Sequence, residues 1–526
     1  MAFYGCDIGN GFGMLSLLEE GAQEPQIMLP ALRTLNAREG MPTAAYVTPP
    51  DAEPIRVFDT QNPPADRLMA RDPEHVIRAA KTHLREDAIA LPGIPGGVAP
   101  YDVYRSIARD LISLGNYERA QQGRDAIYQI VLTYPASIHS WTDYTDVLDR
   151  MQKAIEDVEI DGHHLEVLAR IPEPAAAAID YLYYLQDRNQ IHGNEFCALV
   201  YDLGYGTFDL ACVVAKRDPN EPYDVLCFDG IEDVGGKDFD ERIREEFLAQ
   251  ISDEAAGYQP VAPRELDRLL HEAVTAKHIL TDNLLYDGTF TMPRNASQID
   301  LALTRERFEE ITRDLLYQTL EKTQNMIEEV RGKGRTIDAI VLTGGASQMP
   351  MVKEALEVLA DGEMAVYGYH FSTAVSFGAA RYVPPSSREA PAPGEGTHRR
   401  RATLRATHTL GVLVEHEDAL MGEVKLLVRT GSGLPASAEI EEFFCPDAYY
   451  DVRVYQPDAE HENAQADSLQ VDQCESIRRL HFSNPHAGIY KLVLTEDANY
   501  DISVELIALD GWSETQSTAA RRGGAD

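Results

Sequence analysis

LVYDLGYGTFDLACVV, residues 199–214, reads as two apolar strands joined by a tight turn that carries Gly204 and Gly206. The flanking runs are almost unbroken in their apolar character, which predicts strands covered on both faces of a sheet. A shorter version stands near the start of the chain, where YGCDIGNGFG (4–13) puts Asp7 at a strand end ahead of Gly9 and Gly11. The two leading aspartates lie 202 − 7 = 195 positions apart, which predicts two similarly built lobes.

Each D-x-G-x-G run is expected to form a hairpin. Glycine reaches positive φ at little steric cost and lets a ligand approach the backbone. Successive N–H groups at such a turn can hold an anion. An aspartate at the strand end is placed to hold Mg²⁺ through water. Two such hairpins would clamp a polyphosphate from both sides; equally, each taken alone is an ordinary glycine turn beside a solvated carboxylate. A third element, VLTGGASQMPMVKEAL (341–356), predicts a strand, a Gly344-Gly345 turn and a helix. It reads either as a plain strand-to-helix turn or as a surface for a flat ring near a helix N-terminus.

Composition bounds the rest. The chain has 526 residues with 47 basic and 86 acidic side chains, a net charge of −39, and 44% hydrophobic residues. That is globular material with room for sizeable cores. Its mean field repels nucleic acid and anionic membrane, so neither is an expected partner. The six cysteines form no CxxC pair and several sit in apolar runs, which predicts reduced, buried thiols. No basic-apolar leader and no apolar run of about 18 residues occurs, so a cytoplasmic protein is expected.

Strand-like and helix-like segments alternate up to about residue 383: Val103, Ile107, Leu111 and Leu114 share one helical face, and Phe308, Ile311 and Leu315 share another. The Pro-rich stretch VPPSSREAPAPGEGTHRRR (383–401) breaks this pattern and reads as a linker, with Arg399, Arg400 and Arg401 as a solvated charge cluster. Short β-type runs follow. The expected organisation is an α/β domain over 1–383, a linker over 384–405, a small β-sandwich over 406–512 and a polar tail over 513–526.

Order and spacing bring these motifs together. LVYDLGYGTFDLACVV, RIPEPAAAAIDYL (170–182), DVGGKDFDERI (233–243) and VLTGGASQMP resemble the ATPase domain of DnaK-type heat-shock protein 70 chaperones. YGCDIGNGFG resembles that family's first phosphate loop, and AAKTHLRED (79–87) its lysine segment. The resemblance spans residues 1 to about 383 and implies a two-lobed actin-like (ribonuclease H-like) fold that binds ATP or ADP with Mg²⁺. It implies that Asp7 and Asp202 hold the magnesium water shell. Lys81, Glu173, Asp209 and Thr207 would position and deprotonate the attacking water. Gly9, Asn10, Gly11, Phe12, Gly204, Tyr205, Gly206, Gly235 and Gly236 would line the phosphates. Lys277, His278, Thr281, Gly344, Gly345, Ala346 and Gln348 would face the nucleoside.

The pattern also departs from the family. Asn10 and Gly11 replace a Thr-Thr pair, Tyr205 replaces a glycine, and Ser372 replaces an aspartate near the cleft. Val274 and His278 replace a ribose-binding Glu and an adenine-stacking Arg, while Ala346 and Gln348 replace a Ser and an Arg. The phosphate half is thus kept and the base half rewritten. The helical lid of the family's substrate domain is missing from the pattern. The reading this supports is a lidless chaperone-like ATPase whose nucleotide state switches binding of a protein client, with a cochaperone among its partners. An actin-like assembly ATPase and a nucleotide-binding scaffold with degenerate hydrolysis are the alternatives. GIEDVGGKD (230–238) misses the P-loop spacing, and His163-His164 reads as an exposed turn.

Overall fold

The computed structural model describes residues 2–29, 40–49, 55–56, 72–140, 144–218, 220–254, 263–283, 288–294, 297–384, 398–414, 423–445, 450–458, 461, 464, 466–482, 488–508 and 512–518. Residues 385–397 of the expected linker and 519–526 of the expected tail lie outside this set. The chain divides into two compact units. The first comprises Met1–Ile138, Arg150–Glu221 and Phe228–Arg401, and the second His139–Asp149, Pro222–Cys227 and Ala402–Asp526.

The first unit repeats one plan. Tyr4–Ile8 pairs antiparallel with Phe12–Leu17 and parallel with Gln129–Tyr134, which pairs parallel with Glu166–Pro172. Glu195–Leu203 pairs antiparallel with Phe208–Lys216 and parallel with Ala339–Thr343, which pairs parallel with Ala365–Gly368. Each sheet therefore has a hairpin followed laterally by parallel strands, and the Asp-Gly motifs occupy the hairpin turns. The apolar runs explain the central position: Cys197–Leu203 and Phe208–Ala215 are buried throughout.

Helices cover these sheets. Pro100–Gln121 starts with proline at N1, where the missing N–H costs nothing, and buries Val103, Ile107 and Leu111. The stripe Phe308, Ile311, Leu315 falls on two helices, Arg305–Ile311 and Arg313–Gly332, and not on one. At the junction the Thr312 hydroxyl and N–H both donate to the Phe308 carbonyl, at 2.7 and 3.2 Å.

The closest backbone packing involves Ala374–Arg381. A Cβ on Gly378 would lie 1.7 Å from the Ala176 carbonyl oxygen, and one on Gly5 would lie 2.3 Å from that of Ser376. The helices Ala374–Arg381 and Glu173–Asp187 thus cross without an intervening side chain. Arg381 Nε donates to Asp180 Oδ1 at 2.7 Å, and its guanidinium stacks 3.7 Å above the Tyr183 ring. Arg399 and Arg400, expected to be solvated, also pack here. Arg399 lies 3.9 Å over Phe3 and Arg400 lies 4.9 Å over the other ring system, Tyr183. Backbone bonds fasten that segment: Arg400 N–H donates to the Arg381 carbonyl and Val383 N–H to that of Arg400. Aromatic faces nearby therefore override the composition of the run.

The second unit contains a five-stranded and a four-stranded antiparallel sheet. Leu410–Val414, Glu423–Val428, Tyr450–Pro457, Ser468–Gln470 and Cys474–Phe482 form the first. Ala436–Cys445, Gly488–Glu496, Ile502–Ala508 and Ser513–Ser517 form the second. Ser513–Ser517, expected in the tail, is an edge strand paired with Ser503–Ile507. Val424, Leu426, Tyr455 and Leu469 make a local core. Residues from earlier in the chain join this unit: Arg405 Nη2 reaches both Asp224 oxygens at 2.7 Å, and the His139 ring lies 4.8 Å from Tyr500. All six cysteines are reduced, four of them buried, and the Cys197 and Cys212 sulfurs lie 3.2 Å apart. Among the described residues, no helix is long and apolar enough to cross a membrane.

Two measurements test this packing. Gly378→Ala should lower stability by about 1–3 kcal/mol in urea unfolding, because neither backbone can yield without shifting a helix. Glu496 is 1% exposed with neither carboxylate oxygen paired among the described residues, and burial raises its pKa from 4.5 to about 8. Below pH 4.5 both states hold the proton, and between there and about pH 8 only the folded state holds it fully. Stability should fall as pH rises through that window and level off above it. Glu496→Gln should flatten the pH profile of the unfolding midpoint, a change on the order of a few kcal/mol across the window.

Candidate functional site

Strand ends and a helix start deliver the carboxylates. Asp7 is the penultimate residue of the first strand, opposite Met14 across the first hairpin, and Asp202 stands opposite Asp209 across the second. Glu173 opens the helix Glu173–Asp187, where proline at position 174 and an acidic first residue both suit a helix N-terminus. Lys81 comes from a turn-rich segment and is 4% exposed. Its Nζ lies 2.6 Å from Glu173 Oε1.

The remaining polar contacts hold the acids in place. The Thr133 hydroxyl donates to Asp7 Oδ1 at 3.0 Å. Asp209 accepts the Thr207 hydroxyl on Oδ2 at 2.7 Å and the Ser137 N–H on Oδ1 at 2.8 Å. Burial, reinforced by Glu173, raises the pKa of Asp7 to about 7 despite Lys81 and Thr133. Burial and Glu173 likewise raise Asp209 to about 7. Asp202 is pushed well above its usual range by burial, with Glu173, Asp209 and Asp7 adding to it. Burial opposes the Lys81 ammonium, yet Glu173 and Asp7 outweigh it and raise that pKa.

Three loops surround this cluster. The Gly9 N–H donates to the Phe12 carbonyl and that of Gly204 to the Thr207 carbonyl, each at 3.0 Å. Gly236 and Lys237 N–H groups bind the Gly204 and Tyr205 carbonyls at 2.9 and 2.8 Å. Gly344 has φ +80°, and a Cβ there would lie 2.4 Å from Asp202 Oδ1. That approach explains why glycine follows the strand Ala339–Thr343 at this point.

The residues expected around the nucleoside divide into two groups. A Cβ on Gly236 would lie 3.2 Å from Lys277 Nζ and 3.4 Å from Ala346 Cβ, so those three converge. Lys277 is engaged by Asp240 Oδ1 at 2.7 Å and by the Gly236 carbonyl at 2.8 Å. Gly345 has open space around it. His278 and Gln348 are exposed, and the Thr281 hydroxyl turns back to the Lys277 carbonyl. Phe12 is also exposed, at the mouth of the first hairpin.

Thr43, Thr133, Ser137 and Ser347 carry no role in the sequence reading. Thr43 braces the first loop through its N–H to Gly11 and its hydroxyl to Gly9. The Ser347 hydroxyl accepts the Leu203 N–H at 3.1 Å. Thr133 and Ser137 flank Pro135 in LTYPAS, and this strand end beside Tyr4–Ile8 was the available signal.

The donor set suits a divalent cation. Asp7, Glu173, Asp202 and Asp209 share a buried region in which Lys81 is the described cation acting on Asp7 and Asp209. One ammonium cannot balance that many carboxylates in a low dielectric. Asn10 Oδ1 is buried and has no hydrogen-bond partner among the described residues, which suits a donor such as metal-held water.

Glycine hairpins on two similarly built lobes, with acids at their strand ends, are the marks of an actin-like ATPase fold. The family model described as Hsp70 protein matches residues 119–383, just over half of the 526 residues, and the chain belongs to the Hsp70 family.

Lys81→Met should cost about 3–5 kcal/mol in urea unfolding, because it strands Glu173 in a buried site. Lys81→Met/Glu173→Leu should recover most of that loss. Equal loss in the single and double variants would refute a buried pair.

Proposed function

We propose that the protein is an Mg²⁺-dependent, ATP-hydrolysing chaperone-like switch, with nucleotide held between the two glycine hairpins. The observation that carries this reading is the buried group Lys81–Glu173 with Asp209, Thr207 and Ser137 beside the paired hairpins. Asp7 and Asp202 would hold Mg²⁺, which supplies charge neutralisation for the phosphates and the developing leaving group.

The chain's own groups have separable tasks. Backbone N–H groups at the hairpin tips, Asn10–Gly11 and Tyr205–Gly206, line the phosphates, while those of Gly9, Gly204, Gly235 and Gly236 donate within the protein and hold the loops in shape. Lys81 adds positive charge, and its bond to Glu173 fixes both side chains. Asp209, held by Thr207 and Ser137, orients the attacking water, and with Glu173 it accepts the proton. Such catalysis relies on positioning and on charge stabilisation. Gly345, with open space around it, and Gly236 suit the approach of the nucleoside. Exposed His278 and Gln348 leave base recognition weak.

In the second unit the two antiparallel sheets fit a small β-sandwich over about 406–512. Phe444 and Ile489 are cross-strand partners, each about half exposed, and offer an apolar surface to a protein client. Binding of client there would change with nucleotide state, with a cochaperone setting the rate of exchange.

Single-turnover hydrolysis of ATP tests the reading. Wild type should hydrolyse ATP only with Mg²⁺, and Lys81→Ala should slow it by about 10²-fold. Absence of Mg²⁺-dependent nucleotide binding to wild type would sink the proposal. Retained binding with no hydrolysis would favour the scaffold reading.

A further inference from the structure

The turns of the two hairpins do more than face one another. Tyr205 of the second lies on Gly11 of the first: a Cβ on Gly11 would sit 2.9 Å from both Cβ and Cγ of Tyr205. Asn10 of the first lies on Gly206 of the second, where a Cβ would sit 2.5 Å from Asn10 Nδ2 and 2.8 Å from its Cβ. Each hairpin thus supplies one side chain and one glycine, and each side chain occupies the space that its partner glycine leaves. Neither Gly11 nor Gly206 has a positive φ, so glycine stands there for space and not for backbone freedom.

Both sides of this contact are braced from behind. Thr43 holds the Gly9 and Gly11 carbonyls at 2.9 and 3.0 Å. Lys237 N–H holds the Tyr205 carbonyl at 2.8 Å, and a Cβ on Gly235 would come within 2.5 Å of that same oxygen. Asn10 is 8% exposed, and its Oδ1 has no hydrogen-bond partner among the described residues. Strands from two different sheets therefore meet through four residues that cannot slide without unseating both side chains.

The geometry points to a reciprocal clasp, Asn10 on Gly206 and Tyr205 on Gly11, that joins the two hairpins and governs how long a nucleoside diphosphate remains between them. This rests on the proposed nucleotide site. Asn10 and Tyr205 act here as positioning residues: release requires the hairpins to part, and parting unseats both contacts. Tyr205 carries the larger share, since its ring is the larger body removed from water.

The test is a double-mutant cycle at Gly11 and Tyr205 on the full chain. A fluorescently labelled ADP with Mg²⁺ is the probe, and its dissociation rate is the first readout. Tyr205→Gly should accelerate release by about tenfold or more, as should Gly11→Ala, which drives a methyl into the Tyr205 ring. In the Tyr205→Gly background Gly11→Ala should add nothing, because the methyl then has room. Unchanged release in Tyr205→Gly, or independent effects of the two changes, would overturn the clasp. The second readout needs no ligand: Gly11→Ala should lower the thermal midpoint of wild type and leave that of Tyr205→Gly unmoved. If wild type binds no ADP, the function proposed above fails, and this arm alone decides the clasp. Coupling there supports it, and equal losses in both backgrounds overturn it.

Discussion

The arrangement depends on one close approach between backbones, that of Gly378 to Ala176. The helix Ala374–Arg381 has no room for even a methyl at this crossing, and its other side presses on Gly5. It therefore sets the distance between the strand Tyr4–Ile8, which carries Asp7, and the helix beginning at Glu173. Small residues on all three elements make this possible: the EPAAAA run, the FGAA run and Gly5. Arg381 secures the crossing with a charge that would be costly alone, yet Asp180 pairs with it and Tyr183 covers it.

Electrostatics then give the site its character. A chain of net charge −39 does not attract polyphosphate by its long-range field, which is screened over about 8–10 Å in any case. Its site concentrates further carboxylates in a buried region, and several of them are driven toward protonation. Backbone amides, Lys81 and a divalent cation are the groups able to reverse that balance locally. The same logic explains why hydroxyls and N–H groups, not further cations, surround Asp7 and Asp209. A hydrogen bond orients a carboxylate without adding a desolvated charge.

The side chains at the rim of the cluster differ in their surroundings. Gly236, Lys277 and Ala346 lie together, and Lys277 is committed to Asp240 and to a backbone carbonyl. His278 and Gln348 stay in solvent.

Much of this was legible in the chain. Apolar runs and glycine turns determined both hairpins, the parallel strands and the third strand-turn-helix, since periodicity and backbone freedom are local properties. Asp7, Glu173, Asp202 and Asp209 stood at recognisable element ends. Other features were out of reach. Thr133 and Ser137 act on acids more than 70 positions away in sequence, and nothing in a hydroxyl announces its partner. Arg399 and Arg400 looked solvated because composition does not reveal an aromatic face at Phe3 or Tyr183. Ser513–Ser517 looked like a tail because an edge strand takes its order from a neighbour's hydrogen bonds more than from its own polar residues. Asn10, Gly11, Tyr205 and Gly206 show the division most clearly. Two glycine turns after two aspartates are written in the order of the residues. That each turn's side chain fills the other's glycine arises in the folded chain alone, because steric complementarity exists only once two distant surfaces are held together.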